Sequence, residues 1–224
     1  MLLSHGSSGP GESENRIAKF FLSHGYSVGI IDYFTAHGIK SLGWIDHGPC
    51  MDQYTATFKD IFDIDFPVHD KIVHIGFSLG GYVGLLHSER FIKNYCFYPG
   101  IIALTGQLLE KDYSNTTAII PSGDTWCDNF FSFYNKCKSP PTVDIAQDSY
   151  HGFMLPNKDR EILITKYNTT GSVLSIEEFE SLQFNCETLK TVFPDSVNQI
   201  IKLQSHPEYS IMYLNKILSE IENL

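Results

Sequence analysis

Apolar positions along the chain follow two periods. Short β-branched or continuously apolar runs at 1–4, 26–33, 71–75, 94–98, 117–121 and 142–146 read as buried strands. Between them, apolar residues recur every three or four positions at 12–24, 51–62, 79–90 and 126–138, which reads as helix. Gly25, after Ile17, Phe20 and Phe21, is a stop signal for the first of these helices. Strand and helix alternate at least four times, and that predicts an α/β fold: a mostly parallel central sheet with helices on both faces. The stretch 34–50, rich in glycine, reads as a long loop. Residues 155–224 show no clear strand and read as a helical C-terminal part, with helices near 176–192 and 209–224. The whole of 1–224 is expected to be one domain, without internal repeats.

Composition narrows the class. With 42% hydrophobic and 13% aromatic residues, the chain has the means to build a core. Its 26 acidic and 16 basic side chains give a net charge of −10, with no basic run, so nucleic acid is not an expected partner. No apolar run approaches the roughly 20 residues that span a bilayer, and no signal peptide is visible, so no membrane is expected. The five cysteines are odd in number and irregularly spaced, which suits reduced thiols and a cytoplasmic protein. Residues with chemistry begin at once, at His5, as expected of a chain that has lost upstream residues or whose start codon is misplaced.

The sharpest local signal is Gly76-Phe77-Ser78-Leu79-Gly80-Gly81, between a β-branched run and a helical pattern. This is the context of a nucleophile elbow. The serine sits on a tight strand-to-helix turn, small neighbours relieve the crowding, and the amide of Leu79 opens a helix where an oxyanion can be held. A serine hydroxyl needs a base, and the base needs an orienting acid. In the order Ser, Asp, His, the candidates are Asp124 after the run 117–121 and His151 after the run 142–146. Six of the nine histidines precede Ser78 and break that order. Asp128, Asp144 and Asp148 are competing acids. Asp124 also has a plainer reading, as the cap of the helix that follows. The second oxyanion amide is expected from the loop His5-Gly6-Ser7-Ser8-Gly9, with Ser7 the first candidate and Ser8 the second.

Six segments together resemble the dienelactone hydrolase family. They are His5-Gly6 with Gly9, Gly25-Tyr26-Ser27-Val28 leading to Asp32-Tyr33-Phe34, the elbow, Tyr98-Pro99-Gly100, Gly123-Asp124-Thr125-Trp126, and Tyr150-His151-Gly152-Phe153. They cover about residues 2–155 in the family's order. The resemblance implies an α/β-hydrolase fold and cofactor-free hydrolysis of small esters or lactones, with Ser78 as nucleophile, Asp124 as acid and His151 as base. The founding members carry a cysteine nucleophile, so Ser78 puts this chain nearer the serine-bearing branch. Relatives often have an arginine where this chain has His37, before Gly38, which argues against dienelactone itself as substrate.

His5, Tyr33, Phe34, His37 and Trp126 are the expected substrate-lining residues. His37, Asp46, His47 and Cys50 share one loop, but their spacing matches no zinc pattern, and no metal is expected. The expected reaction is acyl transfer from a small ester, lactone or thioester to Ser78 and then to water. A thioesterase or acyltransferase with the same triad, and a non-catalytic ligand-binding protein of the same fold, are the rival readings. A homodimer is compatible with either.

Overall fold

A computed structural model describes residues 1–35, 38–39, 61, 64–66, 71–101, 104–156, 159–166, 173–175, 178, 195 and 197–224. Strand β1 (Leu2–Ser4) leads through helix α1 (Glu12–Ser23) to β2 (Gly29–Ile31). Strand β3 (Val73–Phe77) runs straight into α2 (Leu79–Leu86), and a single 3-10 turn (Ser88–Arg90) leads to β4 (Lys93–Phe97). A short strand β5 (Leu104–Thr105) and helix α3 (Gly106–Glu110) precede β6 (Thr116–Pro121). A 3-10 turn (Thr125–Cys127), α4 (Asp128–Lys136) and β7 (Thr142–Ala146) follow.

Six of these strands form one sheet in the order β2-β1-β3-β4-β6-β7, and every pairing in it is parallel. The chain moves outward from β1 to β2, then returns to place β3 on the other side of β1. That reversal is a topological switch point at the carboxyl ends of β1 and β3, where open α/β sheets place their ligands.

The pleat assigns the two faces. On β3 and β4, His74, Gly76, Asn94 and Cys96 face α2: Asn94 Nδ2 donates to the Gly84 carbonyl at 2.8 Å. Tyr95 and Phe97 point the other way, toward helix α5 (Pro207–Ile221). There Tyr95 bonds Glu220 at 2.7 Å, and Phe97 meets Tyr213 edge-on at 5.6 Å. Helices therefore cover both faces, as the alternation requires.

The C-terminal part is not purely helical. Strands β8 (Arg160–Lys166) and β10 (Val197–Leu203) pair antiparallel along their whole length, from Arg160↔Leu203 to Lys166↔Val197. Strand β9 (Val173–Leu174) pairs with β5. Both long strands are rich in Ile, Val and Thr, whose branched side chains favour strand over helix. Of the expected helices, the last is α5; those at 51–62 and 176–192 fall almost entirely outside the described residues.

One polar thread crosses the core. His74 on β3 is fully buried; Nε2 lies 2.8 Å from Ser4 Oγ on β1 and Nδ1 2.8 Å from Asn94 Oδ1 on β4. Its ring stacks on Phe91 at 4.6 Å. Burial pushes His74 down to about 4, against the hydrogen bond to Asn94 and with a smaller contribution from His87. The unfolded chain takes up this proton near pH 6.5 and the folded chain only near pH 4, so stability is full above that window and falls as pH drops through it. Urea unfolding at about pH 5 should show a loss of about 2 kcal/mol relative to about pH 7 from this residue. A His74→Gln variant should flatten the slope; an unchanged slope would assign the effect elsewhere.

Candidate active site

Ser78 joins β3 to α2 with φ 52° and ψ −110°, a conformation that side chains rarely adopt. Such strain, on the order of 1–3 kcal/mol, persists only where the surroundings over-determine it. Here its amide donates to Phe97 O (3.0 Å), and its carbonyl accepts from Gly100 N (3.0 Å) and Tyr82 N (3.1 Å). The flanking glycines are obligatory. A Cβ on Gly76 would lie 2.1 Å from the Gly80 carbonyl oxygen, and one on Gly80 would lie 2.1 Å from that of Ser4. Ser78 itself stays half-buried, with its hydroxyl turned toward His151.

Asp124 closes the turn after β6, its side chain fully buried. Its two oxygens have different tasks. Oδ1 accepts from the Trp126 amide at 2.9 Å and caps the 3-10 turn. Oδ2 lies 2.7 Å from His151 Nδ1 and accepts from the Cys127 thiol at 3.1 Å. One oxygen thus caps the turn and the other faces the imidazole. Burial drives the Asp124 carboxyl up, but the attraction of His151 and the three hydrogen bonds outweigh it and hold it below the usual range.

His151 sits on the loop after β7. That loop is tied to the acid's turn: Gly123 N donates to Ser149 O (2.9 Å), and Asp148 N donates to Ser122 Oγ (2.9 Å). With Nδ1–H donated to the carboxylate, Nε2 is left as an acceptor 3.2 Å from Ser78 Oγ. The imidazole lies between two aromatic rings, Trp126 stacked at 5.1 Å and Tyr98 tilted at 4.8 Å. The β8–β10 arm holds the loop from outside. His151 forms a β-bridge with Leu203, the His206 amide donates to Phe153 O (2.9 Å), and Trp126 packs on Ile201 and Leu203.

The fold is an open, all-parallel six-stranded α/β sheet with helices on both faces. No family model matches the chain, and no curated protein does. Among solved structures it is similar to a CIB-like hydrolase from Thermoplasma acidophilum, at 18% identity and TM-score 0.45 over 70% of this chain and 78% of that one. It is similar also to a dienelactone hydrolase-like promiscuous phosphotriesterase from metagenomic libraries, at 14% identity and TM-score 0.47 over 68% and 71%. A monoacylglycerol lipase from Paleococcus ferrophilus matches at 12% identity and TM-score 0.45 over 70% and 87%.

The loop expected to carry the second oxyanion amide runs beside the nucleophile. A Cβ on Gly6 would lie 3.5 Å from Ser78 Cβ, and Gly9 N→Gly6 O (3.1 Å) closes a turn with Ser7 and Ser8 at its corners. Leu79 heads α2 on the other side of the serine.

Three of the expected lining residues pack against one another. His5, Tyr33 and Phe34 are all buried, and the His5 ring stacks on Tyr33 at 4.0 Å and meets Phe34 edge-on at 4.6 Å. The Tyr33 hydroxyl donates to the His5 carbonyl. They form an aromatic prop that fixes the loop, because rings of this size lower their energy most by leaving water together. Burial also lowers the His5 pKa, which keeps the ring neutral at neutral pH. Trp126 does reach the site, against His151. His37 lies outside the described residues, as do Asp46, His47 and Cys50.

Two neighbours of the site escape a reading of the sequence. Cys127 bonds the acid, and its only signal was its place three residues after Asp124. Tyr98 was visible in Tyr98-Pro99-Gly100, but its φ of 38° and its position over His151 were not.

Proposed function

We propose that the protein is a serine hydrolase of small carboxylic esters or lactones, belonging to the dienelactone hydrolase family. The observation that carries this reading is the continuous relay from Ser78 Oγ to His151 Nε2 (3.2 Å) and from Nδ1 to Asp124 Oδ2 (2.7 Å), beginning at a serine held in an elbow conformation. Ser78 attacks the substrate carbonyl as its proton passes to His151 Nε2. Asp124 stabilises the imidazolium and fixes its tautomer. The amides of Leu79 and Ser7 receive the oxyanion, an effect of roughly 3–4 kcal/mol per donor. His151 then protonates the departing alkoxide, leaving an acyl-Ser78. Water, deprotonated by His151, attacks that ester, and collapse of the second tetrahedral species returns the proton to Ser78 and frees the acid.

No cofactor enters this scheme. Among the described residues, no helix is long and apolar enough to cross a membrane. Cys96 and Cys137 stand in no disulfide, which supports a reducing, cytoplasmic setting.

A fluorophosphonate probe tests the reading. The folded wild-type protein should label on Ser78, Ser78→Ala should not label, and His151→Ala should label at least about a thousandfold more slowly. Unlabelled folded wild type, or a labelled Ser78→Ala variant, would refute the assignment. Once labelling is seen, initial rates on short esters, thioesters and lactones rank the substrate classes.

A further inference from the structure

We propose that Asp124, Cys127 and His151 form a binding site for a thiophilic divalent cation of the zinc class, and that a cation there switches the nucleophile off. One ligand atom each of Asp124, Cys127 and His151 lies within 4.8 Å of the other two, and all three residues are buried. Carboxylate oxygen, thiolate sulfur and imidazole nitrogen are the three donor types that zinc takes from proteins. Two of the contacts already converge on one oxygen, at 2.7 Å from nitrogen and 3.1 Å from sulfur. Bonds of about 2.0–2.3 Å to a shared cation need these contacts to open by about 1 Å or less. The donor set also balances charge. One carboxylate, one thiolate and a neutral imidazole around a dication give a neutral cluster, the condition under which ions tolerate burial. Magnesium and calcium prefer six or more oxygens and find only the Asp124 carboxylate here.

The consequence for catalysis rests on the function proposed above; the site itself does not. On binding, the Cys127 thiol releases its proton to solvent and the sulfur becomes a ligand. The imidazole proton leaves Nδ1, which gives its lone pair to the cation, and is held at Nε2 instead. Nothing is oxidised or reduced. Nε2 then donates toward Ser78 Oγ, so the ring has no lone pair to accept the serine proton. Asp124 is occupied as a ligand at the same time. The site and the working triad therefore exclude each other.

Titration with cadmium tests the site without reference to activity. Wild-type protein should develop a thiolate-to-cadmium charge-transfer band, and the part due to this site should vanish in Cys127→Ser and Cys127→Ala, two variants that guard against one failing to fold. In parallel, zinc should inhibit both ester hydrolysis and fluorophosphonate labelling, reversibly with a chelator, while magnesium should not. Measured against each variant's own zinc-free rate, loss of the thiol should raise the zinc needed for half inhibition at least about tenfold. A cadmium band and a zinc sensitivity identical in wild type and both folded Cys127 variants would overturn the proposal. A Cys127-dependent band in a protein that hydrolyses nothing would uphold the site and sink the hydrolase reading instead. Hydrolysis without such a band would do the reverse.

Discussion

Asp124→Asn should lower ester turnover by roughly ten-thousandfold while leaving the protein folded. The argument starts from which end of the new amide faces which neighbour. The Trp126 amide is a donor and needs an acceptor at the Oδ1 position, where it now sits at 2.9 Å. The oxygen of the asparagine side chain must take that place, and the cap of the 3-10 turn survives. The amide nitrogen is then left at the Oδ2 position, facing His151 Nδ1. A donor there demands a lone pair from Nδ1, which moves the imidazole proton to Nε2. The ring then points a hydrogen at Ser78 Oγ, across the 3.2 Å gap where it should accept one. The effect belongs in kcat, with KM little changed, because the carboxylate does not touch substrate. Steady-state rates on a short ester, with urea unfolding alongside, check both halves. A loss under about tenfold would reduce Asp124 to a helix cap.

Gly80→Ala should cost about 4 kcal/mol or more and leave little folded protein. Its Cβ would lie 2.1 Å from the Ser4 carbonyl oxygen, 2.5 Å from the Ser4 carbonyl carbon and 2.8 Å from the His5 carbonyl oxygen. All three are backbone atoms of β1 and the loop after it, pinned by pairing on both sides of β1 and unable to step aside. Gly106→Ala is the internal control. Nothing lies within 4 Å of a Cβ there, so its effect should stay within about 1 kcal/mol. Equal unfolding midpoints for the two variants would refute the close approach of α2 to β1.

The sheet was legible because a parallel strand covered on both faces reads as an apolar run, whatever it pairs with. The runs ending in Ser4, Ile75, Tyr98, Pro121 and Ala146 need no knowledge of partners. The elbow was legible for a related reason: its glycines answer a steric demand that is local in the chain. The β8–β10 arm was not. Its strands pair residue 166 with 197, across a segment that gives no hairpin signal, and charged ends around Ile162–Ile164 fit a helix face as well as a strand. The packing of the aromatic residues is illegible for a third reason. Whether a ring such as Tyr33 or Phe34 lines a pocket or props a loop depends on its depth, which no spacing encodes. Trp126 and Tyr98 meet His151 only because three separate loops converge. Asp124 shows the opposite case. Capping and orienting are rivals in the sequence, whereas its two carboxylate oxygens have separate partners, the Trp126 amide and His151 Nδ1.

The bridge between His151 and Leu203 also bears on how the protein is made. Translation delivers Ser78 first, then Asp124, then the imidazole, and β10 well after all three. Until that strand leaves the ribosome and docks, the loop carrying His151 lacks its outer support, and Trp126 lacks Ile201 and Leu203 to lean on. A nascent chain therefore exposes its serine long before the histidine has a fixed seat. On the proposed mechanism, reactivity therefore waits until β10 has been made and has docked on the loop of His151.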